Sequence, residues 1–196
     1  MLWLKVFLVT AHQVAAVDYF MSNSSVSTCS GNFYDSGGSG GSYSGNENSV
    51  MTFSPGVAGQ YISFNFVFFS TGAQFDMLYV YDGMNTSAPL MGIYSGSVTP
   101  GQIGARNPSG ALTFKFVSDG STHLSGWVAT ISCSATPVST GNFAMSDGAV
   151  DTICSANFYD SGGPSANYFN NENKTMTFYP ATPGTYISAV FSIFAT

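Results

Sequence analysis

CSGNFYDSGG occupies Cys29–Gly38, and CSANFYDSGG occupies Cys154–Gly163. The two stretches lie 125 positions apart (154 − 29). That spacing is too long for a solenoid unit and is about the size of one whole domain. Phe33 and Tyr34 can place one ring in a core and one at a surface. Asp35 can accept hydrogen bonds from the turn after it, and Gly37-Gly38 tolerate positive φ. The hexapeptide FYDSGG reads as a structural turn that recurs because a domain recurs.

Outward from this turn the match continues. Cys29–Thr71 aligns with Cys154–Thr196 without a gap, and about 24 of 43 positions are identical. The second copy stops at Thr196, inside a strand pattern, so the chain reads as a fragment of a longer protein. Its Phe178, Tyr186, Ile187, Phe191 and Phe194 face is not expected to bury itself alone. The first copy shows alternation or short apolar runs at Val50–Phe53, Tyr61–Phe69, Met77–Tyr81, Ala111–Val117 and Trp127–Ser132. Turn residues punctuate them at Ser54-Pro55-Gly56, Asp82-Gly83, Pro100-Gly101, Pro108-Ser109-Gly110 and Asp119-Gly120. No helical stripe is visible. Strands at this spacing predict an all-β, antiparallel β-sandwich.

Bulk composition narrows the function. Apolar residues make up 44% and aromatics 15%, enough for a core, while charged residues are only 7%. A typical globular chain carries roughly 25% charged residues. Glycine and the hydroxyl and amide residues supply the polar surface, as in secreted adhesive or sugar-facing proteins. The net charge is −6, and four basic residues, Lys5, Arg106, Lys115 and Lys174, cannot form a phosphate-neutralising patch. Nucleic acid is not an expected partner. No apolar run is long enough for a membrane span. Residues 1–16 contain LWLKVFLVTAHQVAA, which reads as a signal peptide with small residues at Ala15 and Ala16. Lys5 inside the apolar stretch departs from that pattern, and an upstream strand is the alternative.

The ordered motifs of the first copy carry a resemblance. After CSGNFYDSGG come YSGNEN at 43–48, TFSP with Gly59, an F-x-x-F at Phe66 and Phe69, and DMLYVYDG at Asp76–Gly83. G-x-Y-S-G at Gly92–Gly96, LTFKFVSDGS at Leu112–Ser121 and GWVATISC at Gly126–Cys133 follow. This series resembles the CUB domain in its bacterial secreted form. It covers residues 18–134 fully and 143–196 as the N-terminal part of a second, truncated copy, with 135–142 as a linker. The resemblance implies a CUB-like jelly-roll sandwich. It also implies a non-catalytic recognition or adhesion module for protein or carbohydrate, secreted or at the cell surface, within a larger protein. The alternative is an accessory domain of a secreted peptidase or other hydrolase, and a structural spacer is a third reading.

The resemblance also implies a Cys29–Cys133 disulfide. Closing a loop of that length contributes about 4 kcal/mol in the chain-entropy model and needs an oxidising compartment. Cys154 would pair beyond Thr196, and three reduced cysteines are the alternative. A second bridge found in relatives would join positions near Ser54 and Ala111, where this chain has no cysteine. Many CUB domains bind calcium at one end. The resemblance maps two carboxylates, Asp76 and Asp119, with Tyr43 and Ser121 in support. The expected Glu position falls on Gly72, and Glu47 is a candidate substitute. Tyr168 and Glu172 hold the corresponding places in the second copy. Solvated loop aspartates are the other reading, since calcium wants six to eight oxygens.

Catalytic chemistry is sparse. His12 and His123 are the two histidines. His12 falls in the leader and His123 in a polar loop, so no catalytic triad or zinc spacing assembles. The run Gly38–Ser42 lacks the lysine of a phosphate loop. Asn23, Asn85 and Asn173 head N-x-S/T triplets of low weight. Tyr79, Tyr81, Tyr94 and Trp127 are candidates for stacking on a sugar or anchoring a protein, with core packing as the plainer reading.

Overall fold

Fourteen strands form among the residues that a computed structural model describes, namely 16–137, 142–145, 149–153, 157–163, 167–168, 170–180, 184 and 186–191. The leader proposed for residues 1–16 lies almost wholly outside this range, as does Cys154. The first ten strands are β1 (Asp18–Phe20), β2 (Ser24–Thr28), β3 (Ser30–Tyr34), β4 (Asn48–Pro55) and β5 (Tyr61–Ser70), then β6 (Met77–Tyr81), β7 (Leu90–Tyr94), β8 (Gln102–Gly104), β9 (Leu112–Val117) and β10 (Gly126–Ser134). They make two five-stranded sheets, in the orders β1-β3-β10-β5-β8 and β2-β4-β9-β6-β7. The inner faces of these sheets meet in one apolar core.

The sheets are mixed rather than purely antiparallel, because β1 pairs with β3 and β2 with β4 in parallel. The chain alternates between sheets over its first four strands, so each return places a strand beside one running the same way. Every later pairing in the sandwich is antiparallel.

Phe33 of the repeated hexapeptide lies at the centre of the core. Its ring sits 5.0 Å from Phe53, 5.7 Å from Phe64, 5.0 Å from Phe114 and 5.6 Å from Trp127. Such ring pairs contribute beyond the apolar area they bury. Asp35, also buried, accepts the N–H of Gly37 (2.8 Å) and of Trp127 (3.0 Å), tying the turn to β10. Burial raises its carboxyl above the usual range against the lowering effect of those two donors, and Glu47 pushes the same way as burial. The F-x-x-F of β5 points two rings inward three residues apart, which a strict two-residue period forbids. The ladder to β10 resolves this with a bulge: Ala129 pairs with Phe66 and Val128 with Phe68, so Val67 is the extra residue. Val67 and Phe68 are exposed as a result. Cys29 and Cys133 are joined by a disulfide, with Cα atoms 5.0 Å apart.

Beyond the sandwich, β11 (Asn142–Ala144) pairs in parallel with β13 (Asn157–Tyr159), and β12 (Ala149–Ile153) with β14 (Met176–Pro180). These ladders repeat those of the first unit. Ser24↔Met51 becomes Ala149↔Met176, both shifted by 125 (149 − 24, 176 − 51). Tyr19 meets Phe53 edge-on at 5.8 Å, and Phe143 meets Phe178 edge-on at 5.5 Å. Asp160 accepts the Gly162 N–H at 2.8 Å, as Asp35 does from Gly37. Tyr186, Ile187, Val190 and Phe191 are exposed.

Candidate functional site

One end of the sandwich collects the residues matched to a calcium site. β6 begins immediately after Asp76, and the β9–β10 loop carries Asp119 and Ser121. Asp76 is fully buried, and three donors reach its carboxylate. Oδ2 accepts from the Tyr43 hydroxyl (2.6 Å) and the Gly72 N–H (3.2 Å), and Oδ1 accepts from the Asp119 N–H (2.8 Å). The Gly72 N–H also reaches the Tyr43 oxygen at 3.0 Å. Burial first, then the hydrogen bond to Asp76, pushes the Tyr43 hydroxyl up to about 12. Asp119 turns its carboxylate back on its own loop, where Oδ1 accepts the Ser121 N–H (2.7 Å) and hydroxyl (3.1 Å). The structure therefore brings Tyr43, Asp76 and the Asp119 backbone together, while the Asp119 and Ser121 side chains pair with each other.

Glu47 does not join this group. Its Oε1 accepts the Ser44 N–H at 2.7 Å and the Ser36 hydroxyl, so it braces the FYDSGG turn. Gly72 contributes no oxygen from a side chain. A Cβ there would stand 2.3 Å from Asp76 Oδ2, so a side chain at 72 would displace the Asp76 carboxylate from its present place. Among the described residues, no three His, Cys, Asp or Glu side chains gather closely enough to hold a metal. Asp76, holding three donors, and Asp119, turned to its own loop, supply two carboxylates against the six to eight oxygens calcium takes, and Glu47 Oε2, buried without a hydrogen-bond partner among the described residues, stays outside the pair. His123, expected as a solvated loop residue, is exposed, yet its ring lies 6.1 Å from that of Tyr43, and its Nε2 sits over Gly45.

The candidate binding aromatics divide by face. Tyr94 and Trp127 are core residues, 2% and 1% exposed. Tyr94 pairs with buried Leu78, so its ring points inward, and burial raises its hydroxyl strongly. Tyr79 and Tyr81 alternate with buried Leu78 and Val80 and stand half-buried on the outer face of their sheet. The ladders set Val50, Lys115, Tyr79 and Ile93 in one row across β4, β9, β6 and β7. The Lys115 ammonium lies 5.9 Å from the Tyr79 ring centre. Tyr81 follows in the next row, beside Thr113, whose Oγ1 bonds Thr52 Oγ1 (2.8 Å) and donates to the Gly83 carbonyl (2.9 Å). Burial, with Tyr79 nearby, raises the Tyr81 hydroxyl. Lys115 is the partner that sequence reading passed over, although its place in LTFKFV, between inward Phe114 and Phe116, was a signal of outward orientation.

A family model for the CUB domain matches residues 22–131. The chain belongs to the CUB domain family. CUB domains are non-catalytic modules of extracellular proteins. Similarity to solved structures is also found. The second CUB domain of MASP-1, crystallised bound to calcium, is 16% identical with a TM-score of 0.47, over 57% of this chain and 98% of that one. The full extracellular region of zebrafish Gpr126/Adgrg6 gives 18% and 0.48, over 60% of this chain. The CUB1-EGF-CUB2 region of human MASP-1/3 gives 16% and 0.48, over 58% of this chain. The chain spans only 15% and 43% of those two larger structures. A comparison with curated proteins gives no match. Among the described residues of this CUB protein, no helix is long and apolar enough to cross a membrane.

Proposed function

We propose that the CUB unit at residues 18–134 is a secreted or cell-surface recognition module that binds protein or carbohydrate without calcium. The observation that carries this reading is the outer-face row Val50–Lys115–Tyr79–Ile93, with Tyr81 beside it. Half-buried tyrosines on a rigid sheet offer large contact area at low entropy cost, and the Tyr79 hydroxyl, which donates to Met77 Sδ at 3.4 Å, keeps its oxygen as an acceptor. A single cation beside them suits a polar, weakly charged ligand. The Cys29–Cys133 disulfide supports an oxidising, extracellular setting.

A second CUB-like unit begins near residue 143, with 135–142 as the connection. The repeated registers and ring contacts of β11–β14 support it. Glycan and protein arrays probed in EDTA test the binding reading. Tyr79→Ala and Tyr81→Ala are expected to lower binding tenfold or more, by roughly 1.4 kcal/mol each, with little change in melting temperature. Binding that needs calcium, or survives both substitutions unchanged, contradicts it.

A further inference from the structure

We infer that β7 of the first unit is the docking edge for the second unit, so that the two repeats move as one jointed body. The contact is built from both sides. Phe143 is 2% exposed, with the Arg106 guanidinium 4.1 Å from its ring centre and Phe178 edge-on against it. β11 lies against β7, and Gly163 sits where an added Cβ would come within 3.2 Å of the Ile93 carbonyl. The Arg106 backbone is held in the first unit, where its main-chain N–H donates to Asp82 Oδ1 at 2.9 Å.

The repeat supplies an internal control. Tyr19 holds the place in the first unit that Phe143 holds in the second, and Tyr19 is only half-buried. Ser36 of the first FYDSGG is exposed, whereas Ser161 of the second is 3% exposed. One sequence element has two burials, so the cover on the second copy comes from outside the repeated element. Arg106 and the Ile93 carbonyl stand in that place. A cation against a desolvated aromatic face is a favourable contact, and Phe at 143 offers the face without a hydroxyl to satisfy.

Hydrogen exchange on the full chain tests the joint. The reporters are the Met145 N–H, bonded to the Tyr159 carbonyl, and the Gly163 N–H, bonded to the Asp160 carbonyl, each at 3.0 Å. Arg106→Ala is expected to speed exchange at both by roughly tenfold while β5 and β10 stay protected. Unchanged exchange at Met145 and Gly163, or no protection there in the unaltered protein, overturns the inference. If Arg106→Ala also releases β5 and β10, Arg106→Gln, which keeps most of the stem and removes the cation, decides between the same two outcomes.

Discussion

Asp76 shows how one buried carboxylate is stabilised by three N–H and O–H donors in place of an ion. Tyr43→Phe removes one of those donors and is expected to lower stability by about 1–3 kcal/mol, read by urea unfolding at neutral pH. It also changes the alkaline limb. The Tyr43 hydroxyl is raised from 10.0 to about 12, so its contribution is fully present below pH 10 and is lost as pH rises toward 12. The phenylalanine variant lacks that loss. Asp35 acts at the other end of the scale. Its carboxyl is raised above 3.8, so its contribution is complete below pH 3.8 and declines as pH rises through the raised value. Asp35→Asn turns an NH2 group toward the Gly37 or Trp127 N–H. It should lower neutral stability by about 1–3 kcal/mol and flatten the acid-side slope, measured by unfolding across that range. The residue types at this end were legible from motif order. The commitment of every Asp76 oxygen was not, because it depends on the Gly72 and Asp119 backbones.

Elements separate what local pattern carries from what pairing decides. β4, β5, β6, β9 and β10 were readable because apolar alternation is strong in each. β1 and β2 were not, since DYF and SSVST are short and polar and owe their form to parallel partners. Gly92 hid β7 by breaking its apolar run. Alternation alone put Tyr79 and Tyr81 on one face, whereas Tyr94 took the other face through its pairing with Leu78. The Phe66–Phe69 spacing was a readable bulge signal. The disulfide joins the first unit's ends across 104 positions. Cys29→Ser with Cys133→Ser is expected to cost about 4 kcal/mol in thermal unfolding. Tyr186 and Phe191 are exposed, so chymotrypsin should cut there before it cuts within β1–β10, with the order of fragments read by mass spectrometry.

At the scale of the molecule, a CUB sandwich presents a half-buried tyrosine face on one sheet, while its calcium-matched end is closed by its own hydrogen bonds. The two features are compatible because they sit on different parts of the fold: a sheet face and a loop end. On the function proposed above, recognition would rest on a surface that strand register holds in place. The most direct measurement is the melting temperature of the oxidised protein in calcium and in EDTA, since an ion that binds only the folded state raises it by mass action. The same temperature is expected in both. A rise of several degrees in calcium that Asp76→Ala and Asp119→Ala abolish would contradict it.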